Sequence, residues 1–280
     1  MGREIIIQDG LHNHWNFVNK WANENGYTVV ALFLQGSQNY ELDLYTDEYR
    51  SDIDTKSIVL PKFDDFVLGK EPVNKTIVLD NDEHCEVKDI RIMFDMFRKA
   101  NISYIELLYT DYYIVNPKFQ WFFDELRGIR DDIIDYCRLF KTCYGMTLEK
   151  RKALCHPYPT IKWKIDKWGY DGKQLSHLIR IHFFLQQIRK DGFLDKNTFV
   201  PDDDIKEDLI TIKLNKLDKS VDEVVASADG FCDMTKELVD DMIENYDWDE
   251  PDMELLDDLL LRTIRIHFKN DILNGEVVGQ

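Results

Sequence analysis

Residues 28–35 read Thr-Val-Val-Ala-Leu-Phe-Leu-Gln, bounded by Gly26 and Gly36. A run this short, this apolar and this rich in β-formers is a buried strand. A strand without a polar face must be covered on both sides, so its neighbours have to supply further layers. They do. Leu11, Trp15, Val18 and Trp21 recur at spacings of 4, 3 and 3, one apolar helical face over 11–25 that Gly26 terminates. A second strand is expected over Asp52–Leu60 (DIDTKSIVL), closed by Pro61. Thr76–Leu79 and His84–Lys88 flank an acidic turn and read as a hairpin. Asp89 is a good N-cap for a helix over 89–100, with Ile90, Met93, Phe94 and Phe97 on one face.

From about residue 119 the periodicity is helical. Helices are expected over 120–140, 173–190, 202–215, 220–245 and 252–270. A chain of 280 residues suits two domains. The Asn116-Pro117 break predicts them as 1–117 and 118–280.

Charge narrows the partners. Against 35 Lys+Arg stand 53 Asp+Glu, a formal charge of −18. Coating a polyanion requires a surplus of Lys and Arg, so non-specific nucleic-acid binding and docking on an anionic membrane are disfavoured. No stretch approaches the ~18 apolar residues of a membrane span. The start, MGREIIIQDG, has no apolar signal core. The five cysteines are odd in number, scattered and without a CxxC, which predicts reduced thiols and a cytoplasmic location rather than a structural zinc.

The stretch that carries chemistry is Gln35–Pro61, QGSQNYELDLYTDEYRSDIDTKSIVLP. Gly36-Ser37 follows the buried strand directly, and Asp52 and Asp54 open the next one. Side chains at i and i+2 of a strand share a face. Two carboxylates held close repel unless a cation lies between them, and Mg²⁺ binds through one or two carboxylates together with substrate phosphates. Gly36 lets backbone approach a phosphate, and Ser37 offers a hydroxyl and an amide. Each pair alone is common in turns and strand edges; the ordered set is rarer.

This set resembles the nucleotidyltransferase superfamily typified by DNA polymerase β. More closely it resembles a branch of predicted nucleotidyltransferases of bacteria and phages, with a motif near GSxxYGL…SDxDxxxVxxP. Gly36, Ser37, Tyr40, Leu42, Ser51, Asp52, Asp54, Val59 and Pro61 stand at the matching places, while position 41 is Glu where the branch usually has Gly. Residues 169–181, GYDGKQLSHLIRI, resemble the branch's helical motif, and Lys173, His177 and Arg180 fall at i, i+4 and i+7 on one helix face. Surface pairing of Lys173 and Arg180, with His177 packed inside, is the alternative to a phosphate-facing role.

The resemblance implies an α+β fold, a small mixed-sheet nucleotidyltransferase core followed by a mainly helical domain that closes over the nucleotide. It implies transfer of NMP from an NTP to a hydroxyl, with Mg²⁺ or Mn²⁺ on Asp52, Asp54 and a third carboxylate. Glu86, Glu83, Asp82 and Asp80 are the candidates for the third. Glu86 is chosen because the alternation of 84–88 turns it away from the apolar side. Gly36, Ser37, Ser51, Lys173, His177 and Arg180 are the expected nucleotide-binding residues. The charge balance favours a protein or small-molecule acceptor over nucleic acid. The alternatives are an RNA 3′-end nucleotidyltransferase and a non-catalytic nucleotide-binding module. The chain contains no P-loop, dinucleotide fingerprint, HExxH or GxSxG.

Overall fold

The computed structural model describes residues 2–46 and 49–275. Helix α1 (Arg3–Asn25) starts before the periodic face does and ends at Gly26, whose φ of 77° lets its N–H reach the Ala22 carbonyl. It covers a five-stranded sheet of β1 (Tyr27–Gln35), β2 (Asp54–Pro61), β3 (Asn74–Val78), β4 (His84–Asp89) and β5 (Tyr113–Val115). The order is β3-β4-β2-β1-β5. All neighbours are antiparallel except β2 and β4, which makes the sheet mixed. Ile7, Leu11, Val18 and Ala22 of α1 meet Val29, Val59, Cys85 and Val87 in a core. The fold is α+β, as the element pattern predicts.

The described contacts divide the chain into two compact units. The sheet unit comprises 1–39, 43–134 and 250–280. Besides α1 and the sheet it holds α2 (Phe63–Val67), α3 (Ile90–Arg98), α4 (Ile102–Ile105) and α5 (Gln120–Gly128). It also takes the last helix of the chain, which lies over Phe63 and Phe66 through Phe268. The expected break at 117 therefore falls inside this unit. Phe122 and Phe123 are the reason: Phe123 packs on Phe33 of β1, and Phe122 stacks on Phe94 of α3. The single helix expected over 120–140 is two, with residues 129–135 between them and Asp135 capping the second.

The helical unit comprises Tyr40–Leu42 and Asp135–Asp249. It contains α6 (Tyr136–Ala153), α7 (Lys162–Trp168), α8 (Gly172–Asp191), α9 (Asp203–Lys213) and α10 (Val221–Asn245); the final helix of the sheet unit is α11 (Met253–Gly275). Helix α8 is central and packs on α6, α9 and α10. Its start lies so close to α9 that a Cβ on Gly172 would stand 2.0 Å from the Ile212 carbonyl oxygen. Among the described residues, no helix is long and apolar enough to cross a membrane.

Candidate functional site

The expected site residues fall into two groups, one in each unit. In the sheet unit, β1 ends at Gln35, which pairs with Asp54 at the start of β2. The next residue, Gly36, has φ 84° and turns the chain away into the helical turn Gly36–Tyr40. A Cβ there would stand 4.0 Å from Asp54 Oδ2, so Gly-Ser backbone and carboxylate lie side by side. Gln38, buried in that turn, donates its amide to the Asp52 carbonyl at 2.5 Å and so ties the turn to the strand entrance. Asp52 is exposed and Asp54 half-buried. The strand proper begins at Asp54, two residues later than its sequence suggests. Ser37 is half-buried in the turn. Ser51 is buried, and its hydroxyl accepts the Leu44 N–H at 2.9 Å, which spends one of its lone pairs on closing the loop.

Glu86 does reach the same face of the sheet as Asp54, but one step further along. It is paired in register with Lys56. Its carboxylate lies 3.8 Å from Lys56 Nζ and 3.4 Å from Lys88 Nζ. The side chain beside Asp54 is instead His84, at 3.6 Å. Lys56 is only 2% exposed; its ammonium donates to the Ser103 carbonyl at 2.9 Å and sits 3.9 Å above the Tyr104 ring. Burial pulls this lysine below its ordinary pKa, against the opposing pull of Glu106 and Glu86.

Among the described residues no three His, Cys, Asp or Glu side chains stand together as a ready-made metal cluster. Asp52 and Asp54 are hard oxygen donors at the open end of a strand. That suits an ion such as Mg²⁺, which keeps several waters and takes phosphate oxygens from its substrate. Glu86 would first have to leave two ammonium groups. Lys56 follows Asp54 by two residues on β2 and so shares its face. The strand His84–Lys88 was legible in the sequence, but its parallel register on β2, which brings His84 and Glu86 alongside, had no local signal.

In the helical unit, Asp171 caps α8 by accepting the Lys173 N–H. Along the helix Lys173 is exposed, His177 half-buried and Arg180 buried. The Arg180 guanidinium lies 3.7 Å above the ring of Tyr40. Its Nε and Nη1 are buried without a hydrogen-bond partner, and the residue is 6% exposed. A buried donor of this kind carries a desolvation penalty of about 1–3 kcal/mol, more when charged. Burial drives the His177 pKa well below its ordinary value, and Arg180, Lys173, Lys150 and Lys213 add to the effect. Lys150 of α6 and Lys213 of α9 thus join a cationic cluster that the sequence showed only along α8. Arg180 also borders a cavity of about 220 Å³ whose lining includes Phe183, Phe184, Thr198 and Phe199.

Position 41, the departure from the motif, has φ 56°. It is a left-handed position of the kind glycine fills without strain. Glu41 holds it while its carboxylate pairs with Lys206 at 2.6 Å.

No protein-family model matches the chain. No curated protein matches it. Among solved structures it is similar to a nucleotidyltransferase-like protein from Exiguobacterium sibiricum 255-15, at 11% identity and a TM-score of 0.28, over 80% of this chain and 72% of that one.

Proposed function

We propose that this chain is a metal-dependent nucleotidyltransferase that moves NMP from an NTP to a hydroxyl acceptor and releases pyrophosphate. The observation that carries the reading is the juxtaposition at the end of β1. Gly36, at positive φ, sets the Gly-Ser backbone beside the carboxylate of Asp54. Asp52 and Asp54 would hold Mg²⁺ or Mn²⁺, which when bound supplies charge neutralisation at the phosphates. The amides of Gly36 and Ser37 and the Ser37 hydroxyl bind phosphate oxygens. Arg180 and Lys173 neutralise the charge that grows on the leaving pyrophosphate, with His177 as a neutral hydrogen-bonding group beside them. The acceptor we favour is a protein or a small molecule, because the charge of −18 works against holding a long polyanion.

Incubation with each α-³²P-labelled NTP, Mg²⁺ and a cell lysate tests this reading. Label should pass to a macromolecular or small-molecule acceptor and fail to do so with Asp52→Asn or Asp54→Asn. A non-catalytic nucleotide-binding role has its own support, in the pairing of Glu86 with Lys56 and Lys88. It would give NTP binding without transfer of label in the same experiment.

A further inference from the structure

The aspartates have a support on the other face of the sheet. Thr55, next to Asp54, points toward α1, where His14 is fully buried. His14 Nδ1 lies 2.7 Å from Thr55 Oγ1, and its Nε2 lies 3.1 Å from Glu83 Oε2. The other oxygen of Glu83 accepts the backbone N–H of Ile53 at 3.1 Å. Ile53 is the residue between the two aspartates. Its side chain is gripped as well: a Cβ on Gly10 of α1 would stand 2.8 Å from Ile53 Cγ1, so only a glycine lets the helix approach this far. Gly10 and His14 are one helical turn apart, on the face of α1 that packs against the sheet. Asn81 completes the set by donating to Glu83 Oε2 at 2.7 Å. The strand entrance is thus pinned at residues 53 and 55, each beside an aspartate.

Whatever stability the ionised Glu83 adds, an arrangement of this kind is not what stability alone would select. Burying an imidazole and a carboxylate incurs desolvation, and apolar residues of equal volume commonly do as well or better. Hydrogen bonds of defined length do what apolar packing cannot: they set where a backbone N–H and a hydroxyl sit to within a few tenths of an ångström.

We propose that His14 and Glu83 are positioning residues for the metal-binding pair, holding Ile53 and Thr55 so that Asp52 and Asp54 keep the spacing a divalent cation needs. This rests on the metal-dependent reading above. Neither residue touches the ion or the substrate. Glu83, one of the four acids weighed as a third metal ligand, has both carboxylate oxygens turned to this task instead.

The test is Mn²⁺ binding to the full chain, by electron paramagnetic resonance titration, with thermal unfolding of each variant alongside. Glu83→Gln keeps an oxygen for the Ile53 N–H and a group for His14, so it should hold Mn²⁺ close to wild-type affinity. Glu83→Asp keeps the charge but loses the reach, and should weaken binding about tenfold, the scale of outer-shell changes at metal sites. Glu83→Ala and His14→Ala should weaken it at least as much. Leu11→Ala, a core truncation on the same helix, should lose stability yet keep its Mn²⁺ affinity. The proposal is overturned if Glu83→Asp binds Mn²⁺ better than Glu83→Gln, the order expected of a ligand or a purely electrostatic role. It is equally overturned if Leu11→Ala weakens binding as much as Glu83→Asp. If the wild-type chain binds Mn²⁺ and all Glu83 variants match it, this inference alone falls. A wild-type chain that binds no Mn²⁺ brings down the metal-dependent reading itself.

Discussion

The two candidate groups treat charge in opposite ways. The sheet unit places Asp52 and Asp54 at the entrance of β2, where Asp52 is exposed and Asp54 half-buried. The helical unit gathers cations around α8, where Arg180 is buried and two of its donors lack an acceptor. An exposed like-charged pair can wait for a cation at little expense. A buried guanidinium is destabilising until an anion arrives. The acidic group should thus be tuned by what holds its geometry, and the basic group by what binds to it.

The largest expected effect is on the acidic side. Asp54→Asn should lower transfer about a thousandfold, since several kcal/mol of transition-state charge stabilisation at about 1.4 kcal/mol per decade corresponds to that factor. The fold should persist, slightly more stable without metal. Turnover at the wild-type rate in a verified assay would remove Asp54 from the site.

Next comes packing in the helical unit. Gly172→Ala sets a methyl group 2.0 Å from a backbone oxygen that cannot swing aside. It should destabilise by about 3 kcal/mol, the upper end for overpacking. Denaturant unfolding of this variant at unchanged midpoint would show that α9 moves freely from α8.

On the basic side, Lys173→Ala should weaken NTP binding about ten- to a hundredfold, the value of a charge-assisted contact of roughly 1.5–3 kcal/mol, and NMP binding much less. Calorimetry with both ligands decides. Equal losses would return Lys173 to a solvated surface role.

Acid should separate the two regions. Burial keeps the imidazoles of His177 and His182 below their ordinary pKa. Unfolded, they take a proton at about 6.5; folded, they resist it. Stability contributed by their neutral form is complete above that pH and is lost as pH falls below it. For Glu83, burial raises the carboxyl, but hydrogen bonds from His14, Asn81 and Ile53 outweigh it and hold the group low. Its contribution stands above about pH 4.3 and declines below. Hydrogen exchange at pH 5.5 should therefore find α8 losing protection before β2. The reverse order would undo the contrast.

The smallest effect is expected at position 41. Glu41→Gly relieves a left-handed residue at about 1 kcal/mol, but removes an ion pair with Lys206 worth about 0–1 kcal/mol. Thermal unfolding should shift by no more than a few degrees.

The local pattern was enough for β1, β2, the hairpin and α8, because a continuous apolar run, an alternation or a 3.6-residue period is written into consecutive residues. It placed Gly36-Ser37 after one strand and Asp52 and Asp54 at the opening of another, which begins at Asp54. It missed β5, three half-buried residues at a sheet edge, where no periodicity can develop. Glu86 shows the limit more sharply. Alternation correctly turned it away from Cys85 and Val87, yet its neighbours Lys56 and Lys88 are set partly by the parallel register of β2 and β4. Lys150 and Lys213 met the α8 cations only through helix packing, and α11 joined the sheet unit from the far end of the chain. By itself, then, the sequence determined which elements form and which residues carry charge or a free backbone, since those depend on neighbours a few positions away. The tertiary structure alone decided which charges face one another and which are buried. Both depend on register and packing between segments tens to hundreds of residues apart, where no local spacing records the distance.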